Sequence, residues 1–409
     1  MPMHFKLALP VFAIVLFLAD AAYGEDGYVR GDLRFLPSVN VSQAYDTNIY
    51  TTEDNETADY LTRVIPQVKI ETISLPYSLE LNGKLEQVWF ADETQNHYLN
   101  FGASAKYRYR LDSDTTWDAF ASIARLHEMP GDDEADPAGD ASEPLPVNAL
   151  RAHMSMRKEF DAFNMGFNLS PRMGVSNRDY ISVRAQDGTM LDQGGRSRGE
   201  FMTGGRFGFR ASKTTEVFFD GEYTPRGYKR DGLIARDSDG WHGLAGFKYK
   251  PSDAFLVEMA AGYMARDYKA DVYDDIHAPD LALRASWNYA PESKVSLAYN
   301  RSINEVTEFG AGGSVVDDVK LAVTQQLLED VSAKIEGRYR YADYHGGNGA
   351  DNGTEDRADE YYGLSFGLQY NMTERTSLHA DYTFGRNSSN ESDAEYTQNV
   401  FLLGLKAGL

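Results

Sequence analysis

The chain of 409 residues contains no cysteine, which removes disulfide frameworks, Cys-ligated zinc, iron–sulfur clusters and thiol nucleophiles together. Beyond its first two dozen residues it has no segment approaching about 18 consecutive apolar residues, so helical membrane spans are excluded by pattern. Positive charge is scarce as well: 40 Lys and Arg stand against 62 Asp and Glu, a formal net charge of −22 that argues against a nucleic-acid partner. Enzyme signatures are missing too, with no G-x-S-x-G, no H-E-x-x-H, no P-loop and no convincing dinucleotide fingerprint. What the chain does have is 26 Tyr and 36 Gly in a composition 42% hydrophobic and 25% charged, too apolar for a disordered acidic tail and too polar for a helical transporter.

The ends carry the next clues. In residues 1–24, His4 and Lys6 precede an apolar run from Leu7 to Leu18, and Ala22-Tyr23-Gly24 offers a small-residue cleavage site, the pattern of a secretory signal peptide. The mature chain, 25–409, is then expected to be one domain. At the other end, Phe401, Leu403, Leu405, Ala407 and Leu409 alternate as one uninterrupted apolar face of a terminal strand, which needs an apolar medium to cover it. An exported, cysteine-free chain ending in this way resembles a Gram-negative outer-membrane protein, although the last residue is Leu where such proteins commonly end in Phe. That resemblance implies outer-membrane lipid and lipopolysaccharide as surroundings and the barrel-assembly machinery as a folding partner.

Between the ends, segments of about ten alternating residues recur, separated in turn by short and long polar connections. Leu99, Phe101, Ala103, Ala105, Tyr107, Tyr109 and Leu111 fall on one face of the clearest strand, and Asn100, Ser104, Lys106, Arg108 and Arg110 on the other. Eight short turns, such as Asp112 to Thr116 and Pro291 to Ser293, alternate with nine long loops, of which 128–146 and 176–198 are the longest and are expected to fold inward. This rhythm predicts an all-β fold, a transmembrane antiparallel up-and-down β-barrel of about 18 strands with both termini on the short-turn side. Sixteen strands is the alternative, because Trp117 to Leu126 and Ser314 to Leu327 alternate less cleanly. A soluble sandwich or propeller does not require the short/long rhythm or the tyrosine-rich strand ends.

With apolar residues assigned to lipid, nineteen Arg and Lys face inward against about twelve acids, so the lumen reads as basic while the excess acid sits in loops such as Asp132-Asp133-Glu134. The candidate solute-binding residues are Lys106, Arg108, Arg110, Arg151, Arg157, Arg206, Arg210, Arg284, Arg338 and Arg340. The runs Lys106 to Arg110 and Arg338 to Tyr341 place positive charge on single strands with no matching acid beside it; the opposing reading pairs the lumen arginines with acids such as Glu86 and Glu222 to brace the wall. Arg178, Arg184, Arg196 and Arg198 extend a basic entrance. His153 with Ser155, and His379 with Asp381, share strand faces at i, i+2, but short of any recognised motif they are not read as catalytic, and neither a metal nor a cofactor is expected. Asp351-Asn352-Gly353 and Asp237-Ser238-Asp239-Gly240 lack the spaced bidentate acid of a calcium loop, so the acidic loops read as solvated, with divalent cations bridging lipopolysaccharide as the other possibility.

The stretch Tyr45-Asp46-Thr47-Asn48-Ile49-Tyr50, followed by Val64-Ile65-Pro66, resembles the opening of a family of β-barrel porins found with exopolysaccharide and capsule export systems. The specific motifs cover about the first 50 mature residues; length and strand rhythm agree over the rest. Asp46 and Asn48 are read as turn formers closing the first loop. The resemblance implies an outer-membrane component of polysaccharide secretion without catalysis of its own, and together with the basic lumen it gives the expectation of a conduit for an anionic polysaccharide handed over by periplasmic export proteins. A general or anion-selective diffusion porin and a non-conducting surface or adhesive barrel are the alternatives.

Overall fold

The computed structural model describes residues 27–73, 77–129, 143–162, 165–185, 188–229, 236–306, 311–346, 357–391 and 394–408. The expected signal peptide and most of loop 128–146 lie outside the described residues. Eighteen long strands follow one another: β1 (Leu33–Asp46), β2 (Asp59–Thr72), β3 (Tyr77–Phe90), β4 (Tyr98–Arg110), β5 (Thr115–Glu128), β6 (Leu145–Ala162), β7 (Met165–Tyr180), β8 (Arg198–Arg210), β9 (Thr215–Tyr228), β10 (Ser238–Ser252), β11 (Phe255–Tyr268), β12 (Ile276–Ala290), β13 (Ser293–Glu305), β14 (Ala311–Leu328), β15 (Val331–Gly346), β16 (Ala358–Asn371), β17 (Thr376–Ser389) and β18 (Tyr396–Gly408). Each pairs antiparallel with the next, and β18 returns to β1 with Ser38 opposite Gly408 and Asp46 opposite Val400. The eighteen-strand count therefore stands over sixteen, and the two less regular segments are β5 and β14. At 13 to 18 residues the strands exceed the roughly 9 to 11 that cross a bilayer, so they carry the wall beyond the hydrocarbon layer. A short strand, Tyr28–Arg30, folds back on Leu33–Phe35 at the short-turn end.

Alternation sorts the two faces. Leu99, Phe101, Tyr107, Phe219, Trp287, Leu364, Phe366 and Leu403 are exposed on the outer surface, where lipid covers them. Polar and charged residues from the opposite positions fill the inner surface, as across Arg34, Glu71, Glu80 and Lys106, which stand opposite one another on β1 to β4.

One end of the lumen is packed with protein. Ala44, Leu61, Val88 and Phe90 face inward near the long-loop end and are buried with Ile49 from the β1–β2 loop, against Tyr50 and Tyr98. The cause is the Tyr45 to Tyr50 segment. Asn48 is wholly buried; its amide donates to the carbonyls of Thr52 at 2.7 Å and Thr397 at 3.1 Å, and its side-chain oxygen accepts the Thr52 N–H at 3.1 Å. Asp46 accepts the Asn48 N–H at 3.0 Å, and the Gln398 amide donates to both Asp46 oxygens and to the Asn48 carbonyl. Thr51 is held at φ 49, a left-handed conformation strongly disfavoured for a β-branched residue and sustained here by the Asn48 contacts around it. The turn formers thus latch the first loop to β18 across the seam that closes the barrel. Tyr50 continues the latch, accepting from Asn96 at 2.9 Å and donating to Glu93 at 3.0 Å, and burial pushes its hydroxyl above the ordinary tyrosine range. Asp59, also buried, accepts the backbone N–H groups of Ala91, Asp92 and Glu93 and sets the neighbouring loop against the first.

The latch makes a stability prediction: Asn48→Ala leaves two half-buried carbonyls short of a donor and lowers unfolding free energy in detergent micelles by about 1–3 kcal/mol, read from urea midpoints.

Candidate functional site

The lumen wall is built from cross-strand charge pairs, and these correct one sequence expectation. Lys106 has Glu80 at 3.0 Å on β3, Arg108 has Asp118 at 2.6 Å on β5, and Arg338 is paired with Asp318 on β14. The runs on β4 and β15 do have matching acids, each directly or diagonally across on the neighbouring strand, where inspection of one strand does not find them. Further round the wall, Arg172 bridges Asp220 at 2.6 Å and Glu222 at 2.9 Å, while Arg206 bridges Asp220 at 2.8 Å and Glu258 at 2.9 Å and lies over the Phe218 ring. Toward the short-turn end, Arg157 meets Glu159 at 3.2 Å and Glu216 at 3.7 Å, and Arg210 meets Glu159 at 3.3 Å. The bracing role that the sequence offered as the opposing reading is therefore present over much of the wall.

Arg110, Arg151 and Arg284 have no acid within ion-pair distance among the described residues, and all three are exposed. Arg340 stands opposite Asp318 on β14 and Tyr361 on β16. The ten candidate residues are consequently spread over five strands between β4 and β15 and do not meet at one point.

A tighter constellation forms at the long-loop end. Arg151, Arg178, Arg198 and Arg226 line one cavity of about 200 Å³ with Ser176, Glu200, Ile303 and Asn304. Its geometry follows from register: Arg151 is opposite Ser176, Ser176 opposite Glu200, and Glu200 opposite Arg226 on four successive strands. Glu200 accepts from Arg226 at 2.6 Å and from the Ser176 hydroxyl at 3.2 Å, with Arg198 at 4.0 Å, and it is the one carboxylate among the described lining residues. Behind Arg226, Arg266 is buried and donates to the Ser238 hydroxyl at 3.1 Å; a Cβ on Gly240 would fall 2.4 Å from its guanidinium, so only glycine leaves the room it occupies. Ile303 and Asn304 belong to β13, so a strand four places beyond β9 also lines the cavity.

The described residues of the loop after β7 turn inward, as expected for 176–198. Val183 and Leu191 pack on Leu145, and Arg196 reaches Glu128 at 2.8 Å over the Tyr180 ring. The inward folding of the β1–β2 loop, and of Val306 onto Val316, Ala342 and Tyr344, carried no length signal. A second cavity, of about 880 Å³, adjoins the arginine cavity; Arg151, Ser176 and Glu200 line both, and Lys106, Arg108, Phe120 and His153 line the larger one. His153 stacks on Phe120 with ring centroids 5.0 Å apart, and neither His153 with Ser155 nor His379 with Asp381 is hydrogen-bonded. On the rim, Asp267, Asp275 and His277 bring ligand atoms within 4.8 Å of one another, a grouping across β11, its loop and β12 that spacing in the chain did not suggest.

A closed barrel of eighteen strands with an apolar exterior and a charged lumen is the build of an outer-membrane channel. The model of the family described as Putative beta-barrel porin 2 matches residues 20–408. The chain belongs to that family. No curated protein gives a significant match. Among solved structures, this porin is similar to OccAB4 of Acinetobacter baumannii, at 10% identity over 92% of this chain and 98% of that one with a TM-score of 0.47. It is likewise similar to OpdO of Pseudomonas aeruginosa, at 11% identity over 92% and 97% with a TM-score of 0.47, and to the siderophore receptor PiuA of Acinetobacter baumannii, at 9% identity over 94% and 82% with a TM-score of 0.48. The family match is what carries the assignment of this chain to the outer membrane as a β-barrel porin.

The pairing pattern is testable in planar bilayers. Asp118→Asn and Asp318→Asn each unmask a lumen arginine and raise the anion-to-cation permeability ratio of the porin; were the two arginines unpaired, neither substitution would move it through them.

Proposed function

We propose that this porin conducts anionic solutes, and that its cargo is an acidic exopolysaccharide leaving the cell, handed over by periplasmic export proteins. The observation that carries the reading is the cavity that Arg151, Arg178, Arg198 and Arg226 line together with Glu200. Guanidinium groups hold carboxylates in flat, two-pronged contacts, and a low-dielectric wall strengthens the attraction relative to open water. The mixed charges elsewhere in the lumen keep the remaining contacts weak, as conduction requires, since a solute that binds everywhere does not leave. Arg151 lines both cavities and has no partner among the described residues, which suits it to pass an acidic group from one to the other. The polymer rather than a small anion is supported by the resemblance of Tyr45 to Tyr50 and Val64 to Pro66 to porins found with exopolysaccharide and capsule export.

The reading predicts anion-selective conductance under a salt gradient. Arg151→Gln together with Arg226→Gln reduces the permeability ratio, and polygalacturonate interrupts the wild-type current at low salt but not at 1 M, where charge is screened over about 3 Å. A cation-selective pore, or one indifferent to the acidic polymer, overturns this function and leaves a general diffusion porin; a closed barrel leaves a surface scaffold.

A further inference from the structure

We infer that Phe120 and His153 form a stacking platform for a sugar ring, making the larger cavity a saccharide subsite that acts independently of charge. The inference rests on the channel reading but not on the anion reading. Phe120 on β5 and His153 on β6 stand directly opposite in register, with ring centroids 5.0 Å apart and planes inclined at 29°, so the two rings make one nearly continuous face. Both line the cavity of about 880 Å³. An apolar ring on the wet side of a pore wall is out of place unless something covers it. Elsewhere inside this barrel something does: Phe218 lies beneath Arg206, Tyr180 beneath Arg196, and Phe90 within the cluster around Ile49.

The surroundings define the ligand. Opposite His153 on β7 is Gly174, where a Cβ would come within 3.1 Å of the His153 Cβ and 3.2 Å of the Met202 Cε, so the missing side chain leaves room for the Met202 methyl beside His153 as an apolar margin of the platform. Around the platform stand the hydroxyls of Ser155 and Thr224 and the Arg108–Asp118 pair, in which Arg108 uses its Nε and leaves its terminal nitrogens for another acceptor. A sugar presents a face of C–H groups and an edge of adjacent hydroxyls. The C–H face suits an aromatic surface, and the hydroxyl edge suits planar carboxylate and guanidinium groups. A small inorganic anion has no use for the ring pair. The volume is within the range of small-molecule sites and accommodates a few sugar units.

A neutral probe separates this inference from the anion reading. Laminarihexaose, an uncharged glucan hexasaccharide, is added to single channels of the full-length refolded porin. Wild type shows transient interruptions of current; Phe120→Ala and His153→Ala each weaken the block by about fivefold, Phe120→Tyr retains it, and open-channel conductance and permeability ratio stay at wild-type values. A wild-type channel indifferent to laminarihexaose, or equal block in wild type and both alanine variants, overturns the platform even where anion selectivity holds. Block by laminarihexaose in a channel without anion preference upholds the platform and overturns the anion reading alone.

Discussion

The hydrogen-bonded seam between β1 and β18 is the constraint on which the rest of this porin depends. In lipid an unpaired strand edge leaves backbone groups with no partner, so the sheet must close before any lumen exists. Closure joins residues near the two ends of the chain, with Ser38 to Asp46 against Gly408 to Val400, and the large separation makes that pairing costly in chain entropy. Side chains reinforce it at the long-loop end: Asp46, Asn48 and Gln398 tie the first loop to the last strand, and Ile49 is delivered to the inner wall. The same few residues therefore close the barrel and narrow its mouth.

Charge in the lumen serves two ends at once. Where acids stand across from bases, as at Arg172 and Arg206 with Asp220, the wall is braced and its field largely cancelled. Where Arg151, Arg178, Arg198 and Arg226 line one cavity with Glu200, guanidinium groups from four neighbouring strands gather in a confined place. On the proposed function, a chain of net charge −22 presents anions with a localised basic passage.

The architecture was legible in the sequence because a barrel repeats one signal. Period-two alternation and the short/long rhythm recur often enough that weak strands such as β5 and β14 are recovered by their neighbours. That lumen arginines pair with acids was legible, but which acid meets which base was not, because it depends on register: Asp118, ten residues on from Arg108, stands opposite it only once β4 and β5 align. The Tyr45 to Tyr50 motif was recognisable, and its turn-forming role follows from residue type, whereas its reach to Thr397 and Gln398 follows from closure alone. The arginine cavity lay between these cases. Arg178 and Arg198 were visible as a basic entrance and Arg151 and Arg226 as lumen residues, yet only the aligned strands bring them together around Glu200.

The central claim, a locally positive passage beside Glu200, can be measured in a background with no native cysteine. Ser176 lines both cavities, so Ser176→Cys places one thiol at the site. Its rate of modification by an anionic sulfonatoethyl methanethiosulfonate is compared with that by the cationic trimethylammonium analogue, at low and high salt. The account predicts that the anionic reagent reacts about tenfold faster at low salt and loses that advantage as salt rises. Equal rates at low salt, or faster reaction of the cationic reagent, would contradict it.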